Sequence, residues 1–324
     1  MLMTASQAES FRAINAGYNG VFKPGQLTVG LVVPIEHYPH GPVPTLAAHI
    51  ERVQLAEQLD FAAVWLRDVP FNVPSFGDAG HVFDPFVYLG ALATATSSIA
   101  LGVASIVLPL RHPAHVAKAA ASADQLSEGR LILGIASGDR PEEFPALAAP
   151  FEDRGALFRE SYAYIREMGD TGPLLSNDFG TVSGGIDMLP KATGSHLPLL
   201  VTGSSQQSPD WIAANADGWM TYPRAVEQQA SLIDDYRARI EQAGQPDKPV
   251  MEPLYIDLAA EPDAPARPIH LGYRLGVNTL RNYLESRQAI GVNHVALNLR
   301  FNGANIEETL AQLAETILPT FSAR

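Results

Sequence analysis

The sequence predicts an α/β protein, a (β/α)8 TIM barrel with insertions, and three observations point to it. Ile99 to Phe144 reads as strand, turn, helix, strand and a Ser-Gly-Asp turn, a βαβ unit that implies a parallel sheet. Apolar strands and helical patterns alternate along most of the chain and give about eight βα units, the strand number of this barrel. No internal repeat and no break in composition calls for a second domain, so residues 1–324 are expected to form one.

Residues 1–24 form an N-terminal extension. Leu27 to Pro34 is an apolar, Gly-containing strand, and Thr45 to Leu59 has the spacing of an amphipathic helix. Phe61 to Leu66 is the second strand and runs into Arg67-Asp68. A loop rich in Pro, Gly and Phe follows from Val69 to Val82, and the next helix opens near Asp84-Pro85. Ile99 to Val107 is apolar and partly β-branched, as a strand covered on both faces requires. Pro113 can open a helix, where its missing N–H costs nothing, and the Ala-rich run reaches Leu126 with Gly129 as its stop.

Leu131 to Ala136 is another buried strand, and Phe151 to Met168 is helical. Thr171 to His196 is a Gly-rich excursion without helical period, read as an insertion loop (171–196). Such a length without regular structure marks a lid or binding loop. Pro198 to Thr202 is a buried strand, followed by Gly203-Ser204-Ser205 and a helix from about Pro209. Asp217 to Thr221 is a short strand, Ala225 to Ala243 a helix and Val250 to Leu258 a strand. Glu261 to Pro268 carries three prolines and is a loop within a second insertion, 259–270. Gly276 to Ile290 is a helix, Val292 to Leu299 the last strand and Ile306 to Ile317 the closing helix.

Composition narrows the function. The 35 acidic and 22 basic residues give a net charge of −13, which argues against nucleic acid, whose recognition needs a basic face. Hydrophobic residues make up 46%, enough for a large core. There is no cysteine, so disulfides, thiolate catalysis and Cys-ligated zinc are excluded. The amino terminus lacks the apolar core of a signal peptide, and no uncharged apolar run reaches membrane-spanning length. A cytoplasmic protein with no membrane partner is expected.

In such a barrel, ligands sit at the carboxyl ends of the strands, which places Ala104-Ser105 and Ser137-Gly138-Asp139 on one working face. The turn from Thr202 through Gly203, Ser204 and Ser205 to Ser208 follows a buried strand and opens a helix. Exposed N–H groups and the positive helix end suit an anion there. Serine at a helix start also serves as an ordinary cap. Three serines and a glycine in seven positions exceed what one cap requires, which favours a phosphate.

Arg67 and Asp68 end the second strand, where they either meet substrate or form a structural ion pair. Arg111 and His112 follow the third strand, with His112 placed to cap or brace the turn before Pro113. Of the charged cluster Asp139, Arg140, Glu142 and Glu143, Asp139 lies nearest a strand end. Trp219, Thr221 and Tyr222 would wall the pocket, although Trp219 equally suits the core. Asn298 and Arg300 end the last strand and could reach the same mouth. The nine histidines show no metal-binding spacing. The G-x-S-x-G elbow and the G-x-G-x-x-G fingerprint are absent.

LPLRHP, D-x-L-S-x-G-R and L-G-x-x-x-G within Ile99 to Phe144 resemble the bacterial luciferase-like flavin monooxygenases. PLLVTGSSQQSPDWIA and DGWMTYP fit the same pattern, and the similarity runs from GLVVP (Gly30 to Pro34) to ILPTF (Ile317 to Phe321). The resemblance implies a TIM barrel with insertions that is commonly dimeric and binds flavin at the carboxyl ends of its strands. It places the Ser137-Gly138 turn, Ser204, Ser205 and Ser208 where the flavin phosphate is held, with Asp139, Thr202 and Gly203 as further cofactor-binding candidates beside them. It also places Ala104-Ser105 where members carry a non-prolyl cis peptide beneath the flavin ring.

Two departures separate this chain from the light-emitting branch. The histidine that many members carry after the second strand is replaced by Arg67-Asp68-Val69-Pro70, and the phosphate-binding arginine corresponds to Ser137. What the resemblance implies is a flavin-dependent monooxygenase that uses reduced FMN, supplied by a separate flavin reductase, and O2 on a small organic substrate. Asp68, Arg67 and Tyr222 are the candidate catalytic residues, for contacts to substrate or peroxide, and the active form would be a homodimer. A deazaflavin-dependent dehydrogenase and a non-catalytic flavin-binding protein are the alternatives.

Overall fold

The computed structural model describes residues 11–321, so the first ten residues of the N-terminal extension lie outside the described part. The strands are β1 (Thr28–Val32), β2 (Ala63–Leu66), β3 (Ala100–Val107), β4 (Leu131–Ala136), β5 (Leu174–Asn177), β6 (Gly180–Ser183), β7 (Leu199–Thr202), β8 (Gly218–Met220), β9 (Val250–Leu258), β10 (Arg267–Ile269), β11 (Gly272–Leu275) and β12 (His294–Asn298). The helices are α1 (Ala16–Val21), α2 (His49–Gln58), α3 (Pro85–Ala95), α4 (Pro113–Leu126), α5 (Glu143–Ala146), α6 (Arg154–Glu167), α7 (Pro209–Asn215), α8 (Val226–Gln242), α9 (Val277–Ala289), α10 (Ile306–Thr316) and α11 (Leu318–Phe321).

Eight parallel strands close into a barrel in the order β1-β2-β3-β4-β7-β8-β9-β12, with β12 returning to β1. This is the predicted (β/α)8 fold, with each predicted barrel strand in its place. Local chemistry starts the helices where the sequence expects. Asp84 accepts from the amides of Phe86 and Val87 ahead of α3, and His112 Nδ1 accepts from Ala114 N–H ahead of α4. Each supplies an acceptor to amides that no helical carbonyl can reach.

Two apolar layers hold the barrel. The outer one packs strand residues such as Leu31, Val64, Leu101 and Leu133 against the helices. The inner one fills the lumen with Trp65, Ile132, Leu200, Met220 and Met251, and Phe11, Ile14, Tyr18 and Phe22 pack with it from the N-terminal segment. The lumen has no spare room. A Cβ on Gly102 would lie 2.2 Å from the Trp65 ring, and one on Gly134 2.7 Å from Met220 Sδ.

Both insertions differ from expectation. Within 171–196, β5 and β6 form an antiparallel hairpin. Glu167 Oε1 accepts from Leu174 N–H at 2.7 Å and Glu160 Oε2 from Asp178 N–H at 3.1 Å, pinning the hairpin to α6. The irregular segment after β6 then follows α4, where Lys118 donates to Leu189 O, Gln125 to Lys191 O, and Asp124 accepts from Thr193. These contacts run the excursion down the outside of the barrel, where the sequence suggested a cover for its mouth. Its tip alone meets the mouth side, through His112 Nε2 and Phe179 O at 3.2 Å.

The second insertion, expected to be loop, ends in the hairpin β10–β11, and β11 adds in parallel to the carboxyl half of β9. Pro268 is tolerated because β10 is the terminal strand of the sheet and need not donate on its outer side.

Candidate active site

The carboxyl ends of β3, β7 and β8 converge. The Ala104–Ser105 peptide is cis, and the pairing of β3 with β4 shifts register between Val103 and Ile106. Ser105 Oγ hydrogen-bonds Thr202 Oγ1, and both hydroxyls lie against Met220 Sδ, at 3.8 and 3.2 Å. Residues 104–105 and the start of the serine-rich turn therefore share one end of the barrel.

That turn is strongly curved, with Gly203, Ser205 and Gln206 in the left-handed region at φ of 56°, 45° and 60°. Glycine suits the first of these positions because it lacks the Cβ that the left-handed region disfavours. A Cβ there would meet nothing within 4 Å, so the backbone of Gly203 is open to an approaching group. Neighbours fix the turn. Gly203 N–H donates to Met220 O at 2.8 Å, and Trp219 Nε1 donates to Gly203 O at 2.8 Å. Ser205 Oγ donates to Thr202 O at 2.7 Å, and Ser208 Oγ accepts from Trp211 N–H at 3.2 Å as the cap of α7. Ser204 is left exposed. Trp219 thus holds the turn from a half-buried position.

The sequence reading missed a cation here. Arg159 of α6 donates to Gln207 Oε1 through Nε at 3.0 Å and Nη2 at 2.8 Å, which brings a guanidinium beside the serine-rich turn. No motif marks it, because its placement depends on how α6 packs. On the β4 side, Ser137 is buried, Gly138 is left-handed at φ 85°, and Asp139 is exposed. A Cβ on Gly138 would meet Val107 Cγ1 at 2.8 Å, so only glycine lets this turn fold against β3.

Arg67 and Asp68 point into separate networks. Arg67 grips Asp78 with Nη1 at 2.9 Å and Nη2 at 3.1 Å, while Arg300 reaches the same carboxylate at 2.8 Å. Burial works to raise the Asp78 pKa, but Arg67, Gly80 N–H and Arg300 hold it below the usual carboxylate range. Asp68 takes Arg111 in a fork, at 2.7 and 2.9 Å, and accepts from Val107 N–H at 3.1 Å. Arg111 also reaches Asp84 at 2.8 Å. Tyr222 is 51% exposed and stands at the end of β8. Asn298 Oδ1 accepts from Arg300 N–H, and Arg300 ties down Tyr38 O, Gly41 O and Gly77 O.

His81, in the loop after β2, was also missed. It is 1% exposed, lies face to face with Tyr88, and burial pushes its pKa down to about 4. Among the described residues no group of three or more His, Cys, Asp or Glu side chains could hold a metal, and no helix is long and apolar enough to cross a membrane.

Residues 27–318 match the family model of the luciferase-like monooxygenases. The chain is 31% identical over 210 residues to an uncharacterized protein of Mycobacterium tuberculosis, covering 61% of this chain and 72% of that one. It is 35% identical over 140 residues to the alkanal monooxygenase beta chain of Photorhabdus luminescens, covering 43% of each. Its fold matches that of an F420-dependent secondary alcohol dehydrogenase solved with an F420-acetone adduct, with a TM-score of 0.75 at 16% identity over 92% of this chain and all of the other.

Proposed function

Because the chain belongs to the luciferase-like monooxygenase family, we propose that it is an oxidoreductase that binds reduced FMN at the carboxyl mouth of the barrel and uses O2 on a small organic substrate. The observation that supports this is the meeting of Ser105 with Thr202, 97 residues apart, beside a left-handed turn whose Gly203 is open. The residues present fit such a cofactor. Ser204, Ser208, Thr202 and Gly203 would face its phosphate from the turn, with Arg159 supplying charge from behind Gln207. Ala104 and Ser105 would border the ring from β3, and the Ser137-Gly138 turn, with Asp139 beside it, would meet the phosphate from β4. When bound, the cofactor supplies the redox chemistry, and the protein supplies orientation and shielding from water.

Asp68 and Arg67 serve this site as positioning groups. Both Asp68 oxygens are engaged, and its bond to Val107 N–H fixes β3 a few residues beyond Ser105. Arg67 locks the loop after β2 through Asp78. Tyr222 carries the phenol that remains available to touch substrate. In the same reading a separate flavin reductase delivers the cofactor, the active form is a homodimer, and the protein works in the cytoplasm.

A second reading, hydride transfer with the deazaflavin F420, is favoured by a relative named as an F420-dependent hydroxymycolic acid dehydrogenase, 29% identical over 228 residues and matched over 68% of this chain and 60% of its own. Parallel titrations with reduced FMN and reduced F420, followed by oxygen-uptake measurements, separate the two. Binding of neither cofactor overturns both.

A further inference from the structure

A second hollow lies at the opposite end of the strands. This cavity of about 270 Å³ is bounded by residues just before β7, β8 and β9 and by Tyr18 of α1. It falls slightly below the roughly 300–1,000 Å³ of drug-sized sites, which suits a small ligand.

Its carboxylates are already paired. Asp217 meets Arg166 at 2.6 Å on one oxygen and His196 at 3.0 Å on the other. Burial works to raise its pKa, yet these partners and Leu199 N–H hold it at about 2. Asp247 faces Arg237 at 3.6 Å. That leaves Arg12 and Lys248 as lining cations with no carboxylate within salt-bridge distance among the described residues. In a chain of net charge −13 this is a local excess of positive charge.

Lys248 decides the matter. It is only 7% exposed, and its Nζ donates to Ala213 O at 2.6 Å. An ammonium has three donors, and burying one without an anion is costly. We propose that this cavity is an oxyanion site for a small molecule carrying a phosphate, sulfate or carboxylate group, with Lys248 Nζ as its charged anchor and Arg12 at its rim. The surrounding groups leave that role open to Lys248. Tyr18 and Tyr162 spend their hydroxyl protons on Asp217 O and Asn215 O, at 2.7 and 2.6 Å. Burial keeps the Tyr236 phenol protonated and neutral. Burial also pushes Lys248 down to about 8, with Asp217 opposing and Arg166 adding to the fall. The site does not depend on which cofactor the mouth binds.

Inorganic sulfate tests this, because its charge is constant across the useful pH range. The titration is run at fixed ionic strength in chloride and read by NMR on the amides of Ala214 to Asp217 and on the His196 ring. Saturable shifts are expected near pH 7, weakening about tenfold near pH 9 as Lys248 loses its proton. Lys248→Met should abolish them. Lys248→Arg should fold and keep its affinity near pH 9, because a guanidinium does not deprotonate there. A parallel acetate titration separates a preference for carboxylates from one for tetrahedral anions. The proposal is overturned if the native chain shows no saturable shifts, if Lys248→Met binds equally well, or if Lys248→Arg weakens with pH as the native chain does.

Discussion

Trp65 Nε1 donates to His294 Nε2 at 2.8 Å inside the barrel, and His294 Nδ1 meets Thr28 Oγ1 at 2.7 Å. An indole N–H can only donate, so Nε2 accepts and the ring proton sits on Nδ1. Thr28 then donates onward to Val21 O at 2.8 Å. The chain of bonds closes without a charge, and burial holds the His294 pKa down at about 3.

This network makes stability sensitive to acid. Above about pH 6.5 His294 is neutral in both the folded and unfolded chain, so it contributes nothing to the pH dependence. Below that, the unfolded chain takes up a proton that the folded one refuses, and stability falls until the pH nears 3. At pH 5 the expected loss is about 2 kcal/mol. His81, held at about 4, acts in the same direction. Urea unfolding at the two pH values measures the loss, and an NMR titration assigns it. A native His294 ring that titrates near its ordinary pKa contradicts the network.

Gly102→Ala should be severely destabilising. The new Cβ would sit 2.2 Å from the Trp65 ring, which is itself fully buried and bonded to His294. Overpacking of this kind costs about 1–3 kcal/mol and more where neighbours cannot move. Chemical denaturation checks it, and an unchanged midpoint would mean that the lumen is looser than described.

At the mouth, Thr202→Val removes one hydroxyl of the Ser105 pair while nearly keeping its volume. In the reading proposed above it weakens cofactor binding about tenfold, the scale of one lost hydrogen bond. Ser105→Ala should act in the same direction. Fluorescence titration of reduced cofactor against both variants is the measurement, with thermal melting as a folding control.

Asp68→Asn and Tyr222→Phe should behave differently. The first places an amide N–H₂ against the Arg111 fork, so stability and turnover should fall together, by about 2–3 kcal/mol in stability. The second alters an exposed side chain, so the melting temperature should hold while KM or kcat changes. Equal loss of stability in both would remove the distinction between positioning and contact.

Glu160→Ala and Glu167→Ala together should raise amide exchange in the β5–β6 hairpin and leave steady-state activity unaffected. A large drop in turnover would instead restore the hairpin as a cover for the mouth.

Much of this was legible in the chain. Phe61–Leu66 and Ile306–Ile317 nearly coincide with β2 and α10, because runs buried on both faces and amphipathic stripes announce themselves locally. The helix expected from Thr45 starts instead at His49. Glu36 takes the amides of Thr45 and Leu46 at 2.8 and 2.9 Å, and Leu46 and Ala48 are left-handed. A carboxylate nine residues away competes with the helix there, and no local pattern reports it. The hairpins β5–β6 and β10–β11 escaped notice because their strands are short, polar and edge-bound, and gain their order from α6 and β9.

By itself the sequence determined the eight barrel strands, the helix starts at Asp84, His112 and Ser208, the serine-rich turn and the apolar periods, all set by neighbours within a turn or a pleat. Only the tertiary structure decided that Ser105 meets Thr202, that Asp68 belongs to Arg111, that Arg159 stands behind Gln207, and that Lys248 lines a hollow beneath the strands. These contacts span tens of residues and depend on the register in which the parallel strands close. That register sets Trp65 against Gly102, and it is a condition met by the whole barrel and written in no single segment.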